Sequence, residues 1–198
     1  MTSLRAFTEI VGADHAMIGA DTARWAQDWT GAYIGAPGVV LRPADTAQVA
    51  AILRKASELR LSVTPVSGNT GLVGGANTTG GVLLSLDRMS AIREVNPRAR
   101  TATVEAGVIL SSLQEAAEAQ GLIFPLTFGA RGSAMIGGVL STNAGGSNVL
   151  RYGNARDLCL GLEAVLADGR VVNLMSAVHK DNSGLDLRNL LIGAEGQL

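Results

Sequence analysis

The chain of 198 residues carries one cysteine, Cys159, which excludes an internal disulfide and a cysteine-based metal cluster. Set between Leu158 and Leu160, its thiol reads as buried and inert. Histidine is nearly as sparse: His15 and His179 stand far apart, with no pair at metal-ligand spacing. Aromatics are 4% and the net charge is −1, so neither a base-stacking platform nor a basic stripe exists to make nucleic acid a partner. No apolar run approaches the ~20 residues that cross a bilayer. The N-terminus lacks the basic start and apolar core of a signal peptide, which leaves the cytoplasm as the expected compartment.

Glycine, in contrast, is abundant, and it is concentrated. The run Gly129-Ala-Arg-Gly-Ser-Ala-Met-Ile-Gly-Gly-Val-Leu-Ser-Thr-Asn-Ala-Gly-Gly-Ser-Asn-Val-Leu-Arg-Tyr-Gly153 is almost uncharged. Glycine loses more backbone entropy on folding than any other residue, so clustering implies backbone running close to something. Bare N–H groups with the hydroxyls of Ser133, Ser141 and Thr142 suit a phosphate or a heteroaromatic cofactor. A mobile surface loop is the other reading, but Ala134, Met135, Ile136, Val139 and Leu140 argue for a packed segment.

With 47% hydrophobic residues the chain can bury one large core or two small ones. Residues 1–36 read as an N-terminal extension. Residues 37–96 read as a small α/β unit: strand 38–41, a helix capped by Asp45 or Thr46, strand 61–66, a glycine loop 68–75 and strand 81–86. A boundary is expected near Asn96-Pro97. Residues 97–198 then form a larger α+β unit, with strand 101–105, helix 110–120, the glycine run, a hairpin over 162–174 turning on Asp168-Gly169, and a helix at 186–191.

The first loop, Ser67-Gly-Asn-Thr-Gly-Leu-Val-Gly-Gly75, follows a strand, and Asp87 ends the next one. That invites a nicotinamide-dinucleotide site. Such a fold needs a crossover helix, and only Ala76-Asn-Thr-Thr-Gly80 separates loop from strand, so Asp87 reads as a turn residue. A P-loop fails for want of a lysine after the glycines. What remains is a nest of N–H donors that can hold a pyrophosphate, with Asn69 and Thr70 adding side-chain bonds.

Pro65-Val-Ser-Gly-Asn-Thr-Gly-Leu-Val-Gly-Gly75 together with Gly132-Ser-Ala-Met-Ile-Gly-Gly-Val-Leu-Ser-Thr-Asn-Ala-Gly-Gly146 resembles the FAD-linked oxidases of the vanillyl-alcohol oxidase/p-cresol methylhydroxylase type, and within them the D-2-hydroxyglutarate and D-lactate dehydrogenase branch. Asp28-Trp-Thr-Gly31, Leu150-Arg-Tyr-Gly153, Leu160-Gly-Leu-Glu-Ala-Val-Leu-Ala-Asp-Gly169 and Lys180-Asp-Asn-Ser-Gly184 are similar to that branch as well. The resemblance implies an α+β fold, an FAD-binding domain of the p-cresol methylhydroxylase type, with two α+β subdomains and the cofactor between them. It implies that Pro65 and Ser67, Gly68, Asn69, Thr70, Gly71 and Leu72 wrap the pyrophosphate. Gly132, Ser133, Ile136, Gly137, Gly138, Thr142 and Asn143 would line the rest of the pyrophosphate and the isoalloxazine, with Glu195, Gly196 and Leu198 nearby. No histidine lies in either loop, so the FAD is expected to be non-covalent.

Ser67 stands where the family usually has glycine, so its backbone must avoid positive φ or bear strain. Ala134 replaces a frequent cysteine and Leu185 a frequent tyrosine. Arg131 and Arg151 suit an anionic ligand but equally an ordinary surface. The substrate side of the family, a His/Glu metal set, a carboxylate-gripping arginine and a catalytic base, has no match here. The chain therefore reads as the FAD-binding portion of a dehydrogenase oxidising a small D-2-hydroxy acid, inactive by itself and with its electron acceptor unspecified. Loss of a partner domain would expose apolar surface and favour a homo-oligomer. Two other readings stand beside it: a non-catalytic FAD- or ligand-binding module, and another flavin oxidase of the same superfamily.

Overall fold

A computed structural model describes residues 2–198; Met1 lies outside the described residues. The chain divides into two compact units. The first takes in the residues up to Met89 together with Val165–Val171, and the second holds Ser90–Ala164 and Val172–Leu198. The stretch up to residue 36, read from sequence as an extension, is thus an integral part of the first unit. The division falls at Met89, not at Asn96-Pro97.

In the first unit, α1 (Thr2–Val11), β1 (Ala16–Met17) and α2 (Ala23–Ala26) precede β2 (Ala36–Leu41), α3 (Thr46–Glu58), β3 (Val63–Val66) and β4 (Thr79–Ser85). The sheet order is β1-β2-β4-β3; β2 and β3 both run parallel to β4, and β1 is antiparallel to β2. Alternation along the strands sends Val39, Leu41, Val82 and Leu84 to one face, against Phe7, Val49, Ile52 and Ala56. Val40, Leu83 and Val66 pack with Trp25. A sheet apolar on both sides has to be covered on both, and the N-terminal elements supply part of that cover. Each fully buried side chain such as Ile52 or Leu83 contributes roughly 1.5–3 kcal/mol. The start of α3 is fixed by Asp45, whose carboxylate accepts from Gln48 N–H at 2.8 Å, while the Gln48 amide accepts from Ala44 N–H.

The link from β3 to β4 bears directly on function. It makes a parallel return without a helix, through residues 67–78, about the dozen residues such a connection requires. Asp87, just beyond β4, is buried between Arg42 (2.9 Å) and Arg24 (2.6 Å). It ties the sheet end to the N-terminal elements and has no bearing on a ribose.

The second unit opens with the antiparallel pair β5 (Ile92–Asn96) and β6 (Thr101–Val104). Asn96 ends β5 and Pro97 opens the turn between the strands, where Asn96 Oδ1 accepts from Ala99 N–H. Next come α4 (Leu110–Glu118), α5 (Ile136–Ser141), α6 (Val149–Tyr152), α7 (Ala155–Leu158), β7 (Leu162–Val165), β8 (Val171–Leu174) and α8 (Arg188–Leu191). Its core gathers Val108, Leu110, Leu113, Leu126, Ile136 and Val139. The β7–β8 turn differs from the two-residue expectation. Gly169 N–H donates to Leu166 O and Leu166 N–H to Arg170 O, which centres the turn on Ala167-Asp168 and leaves Gly169 as the left-handed closing residue at φ 80°.

Candidate functional site

The first unit presents the 67–78 connection at the carboxyl end of β3, where open parallel sheets place their ligands. Among the described residues, no backbone N–H from residue 67 to residue 76 donates to a protein acceptor. The hydroxyls of Ser67 and Thr70 are likewise unengaged. Ser67 avoids positive φ, as its side chain demands; the left-handed residues of the loop are Asn69 (φ 50°) and Gly74 (φ 72°). At Gly71 a Cβ would meet nothing within 4 Å, so its backbone is open to an incoming group. Pro65 lies within β3, opposite Leu84.

So many free donors would leave a wandering loop unless something braced it, and the Asp28-Trp-Thr-Gly31 turn does so. Asp28 is buried; it accepts from the Thr30 hydroxyl at 2.6 Å and Tyr33 N–H at 3.2 Å. Gln27 and Tyr33, which flank the turn, then meet the loop at three points. Asn69 Nδ2 donates to Gln27 O at 2.9 Å, Asn77 Nδ2 to Tyr33 O at 3.1 Å, and Gly74 packs so closely on the Tyr33 ring that a Cβ would lie 2.5 Å from it. Asn77, unremarked in the sequence, is therefore a brace of the loop. Its position just outside the glycine stretch was the available signal.

The Thr30 hydroxyl, with Tyr33 and other main-chain donors, holds the Asp28 carboxyl below the ordinary carboxylate range. A carboxyl with a lowered folded-state value stabilises the fold above that range, and the contribution vanishes as pH falls through the folded value. Asp28→Asn should accordingly flatten the loss of stability between about pH 5 and pH 2, read as urea midpoints against pH. Parallel acid limbs in both proteins would contradict this.

In the second unit the glycine run does two jobs. Gly137 lies against Ala106, where a Cβ would be 2.9 Å from the Ala106 Cβ, and its N–H donates to Ala106 O at 2.7 Å. Gly146 is tighter, with a Cβ position 1.9 Å from Thr127 O. Ile136 is a core residue. These positions satisfy the close approach inferred from sequence, but the thing approached is the chain's own backbone. By contrast, Gly132 is open, and the N–H groups of Gly132 and Gly138 have no acceptor among the described residues. The loop before α5 is held by α4, since Leu110 N–H donates to Ala134 O and Ser111 N–H to Arg131 O.

The far end of α5 meets the C-terminal stretch. Gly193 N–H donates to Leu140 O at 3.0 Å and Glu195 N–H to Ser141 O at 2.9 Å, which brings Glu195 and Gly196 beside Thr142 and Asn143. The Thr142 hydroxyl turns back to Gly138 O at 2.9 Å. Asn143 takes φ 47° and its Oδ1 accepts from Arg156 N–H at 3.0 Å. Leu198 is exposed. Cys159 has its thiol pushed up by burial, consistent with an inert group, and Glu105 is occupied by Ala91 N–H and Arg93. His179 is exposed, and no group of metal-ligating side chains occurs among the described residues.

Within each unit the structure thus presents small, uncharged backbone rich in uncommitted donors. That chemistry fits a dinucleotide whose pyrophosphate only accepts hydrogen bonds. The chain resembles known proteins in sequence and in fold. It is 45% identical over 172 residues to the mitochondrial D-2-hydroxyglutarate dehydrogenase of Bos taurus, covering 86% of this chain and 32% of that protein. It is 42% identical over 180 residues to the D-2-hydroxyglutarate dehydrogenase of Xanthomonas citri, covering 90% and 38%. The chain therefore spans about a third of the length of these relatives. Among solved structures, p-cresol methylhydroxylase matches 96% of the chain and 40% of its own at TM-score 0.76 and 22% identity. Alkyldihydroxyacetonephosphate synthase matches 98% and 36% at TM-score 0.82 and 19% identity. These confirm the fold of the p-cresol methylhydroxylase type. No described helix is long and apolar enough to cross a membrane. The family described as FAD binding domain matches residues 37–175, and the chain belongs to it.

Proposed function

We propose that the chain is the FAD-binding portion of a flavin-dependent D-2-hydroxy-acid dehydrogenase. The observation that carries the cofactor assignment is the unbroken set of uncommitted N–H donors over residues 67–76, braced from outside by Asp28 and Asn77. In the first unit these donors, with Asn69 and Thr70, take the pyrophosphate. In the second unit Gly132, Ser133 and Gly138, with Thr142, Asn143, Gly196 and Leu198, supply neutral, closely approachable surface for the remainder of the cofactor, and Glu195 adjoins it through its main chain. Gly137 and Ile136 hold that surface in place from behind. The similarity to D-2-hydroxyglutarate dehydrogenases supports a D-2-hydroxy acid as the substrate class.

Bound FAD supplies a hydride acceptor for the substrate's α-carbon. The residues of this chain bind and orient the cofactor. Titration of the purified protein with FAD, followed by flavin fluorescence and visible circular dichroism, should show saturable binding, with NAD giving none. Binding of NAD with no response to FAD would overturn the assignment. For the substrate class, a protein including the remaining segments found in the relatives should reduce its flavin with D-2-hydroxy acids and not with their L-enantiomers.

A further inference from the structure

The mechanism by which the C-terminal stretch is held on α5 depends on two arginines that the sequence did not single out. Arg156 belongs to α7. Its guanidinium donates through Nη1 to Asn189 O at 2.6 Å and through Nη2 to Ile192 O at 2.6 Å. Its backbone N–H donates to Asn143 Oδ1 at 3.0 Å. Gly193, at φ 83°, passes so near that a Cβ would sit 3.1 Å from Arg156 Nη2 and 3.4 Å from the Asn143 Cβ.

Arg188, the first residue of α8, reaches the other way. Its Nη1 donates to Cys159 O at 2.9 Å and to Leu160 O, while Asp186 takes its Nη2 and Nε. Each arginine therefore caps main-chain carbonyls on the other's segment. Arg156 makes its side-chain bonds to the Asn189 and Ile192 carbonyls and the Asn189 side chain, whereas Arg188 divides its guanidinium between Asp186 and the two carbonyls; an exposed ion pair alone would contribute little. Charge-assisted bonds to carbonyls are stronger than neutral ones, and the planar fork lets Arg156 serve two carbonyls that a lysine ammonium would serve poorly.

We infer that Arg156 is a positioning residue for the cofactor surface of the second unit. It fixes Asn143 through its main chain and fixes residues 189–192 through its side chain. Gly193 and Glu195 are thereby held to donate to Leu140 O and Ser141 O at the end of α5. This rests on the FAD reading for its functional meaning, but the clasp itself can be measured without FAD.

Arg156→Ala and Arg156→Lys test it in the full chain. In the protein without FAD, hydrogen exchange at the Gly193 and Glu195 amides should be about tenfold faster in the alanine variant, while β2, β3 and β4 keep their protection. In the FAD titration the alanine variant should bind about tenfold more weakly, with an altered visible circular dichroism band. The lysine variant should fall between alanine and wild type in both. Unchanged exchange at Gly193 and Glu195 would overturn the clasp. Faster exchange with unchanged FAD affinity and dichroism would reduce Arg156 to a stability role and overturn the positioning. Should the alanine variant fail to fold, the lysine variant decides by the same two readouts. A wild-type chain that binds no FAD would defeat the cofactor reading, yet the exchange result would still decide whether the clasp exists.

Discussion

Gly71→Asp should weaken FAD binding about a hundredfold while leaving the thermal midpoint of the cofactor-free protein within about 2 °C of wild type. The fold should tolerate it, because φ at Gly71 is not positive and a Cβ there meets nothing within 4 Å. Exposed substitutions of this kind change stability by only about half a kcal/mol. The ligand should not tolerate it. The new carboxylate would accept from the donors meant for the pyrophosphate and repel its charge, and like charges brought together cost several kcal/mol. Gly71→Ala should show a smaller loss from bulk alone. The pair of titrations separates charge from size, and an aspartate variant binding FAD within threefold of wild type would remove this loop from the site.

Gly146→Ala should do the reverse and destabilise the second unit by about 3 kcal/mol or more. A Cβ at that position would stand 1.9 Å from Thr127 O and 2.7 Å from Thr127 C, and both are backbone atoms that cannot swing aside. Thr127 O also accepts from Ser147 N–H at 3.0 Å, so retreat of the carbonyl breaks a further bond. The urea midpoint followed by circular dichroism should fall by an amount corresponding to that loss. A midpoint unchanged within error would show that the strand of chain at 127 is free to shift.

Taken together these two glycines show how far the sequence could be read. The two glycine loops, the helix at α3 with a cap at Asp45 or Thr46, the three parallel strands β2, β3 and β4 and the absence of a crossover helix were all legible. Each is encoded within a few residues: an apolar alternation, a capping residue, a spacing too short for a helix. The resemblance extended that reading to an FAD-binding fold. What was not legible depends on partners far along the chain. Gly71 and Gly146 look alike as letters, and only Thr127 tells them apart. Asp87 looked like a turn residue, and its burial between Arg24 and Arg42 requires the sheet to exist first. Arg156 gave no signal, because its partners are main-chain carbonyls, which carry no residue identity. The same holds for Asp28, whose motif was recognised but whose work, bracing residues 67–78, is done through backbone.

The hairpin tip has a consequence for how the protein is made. Residues 165–171 belong to the first unit, with Val165 packed on its core and Gly169 O accepting from Arg54 at 3.0 Å. Gly169 also sits so close to α3 that a Cβ would lie 2.7 Å from Ala50 O. A ribosome emits the chain in order, and domains tend to form as their last residue emerges. The first unit therefore cannot close when Met89 appears; it must wait with that patch of α3 bare until the tip arrives. A gene cut at residue 89 would encode an incomplete body, so the natural seam for dissecting this protein is spatial rather than sequential.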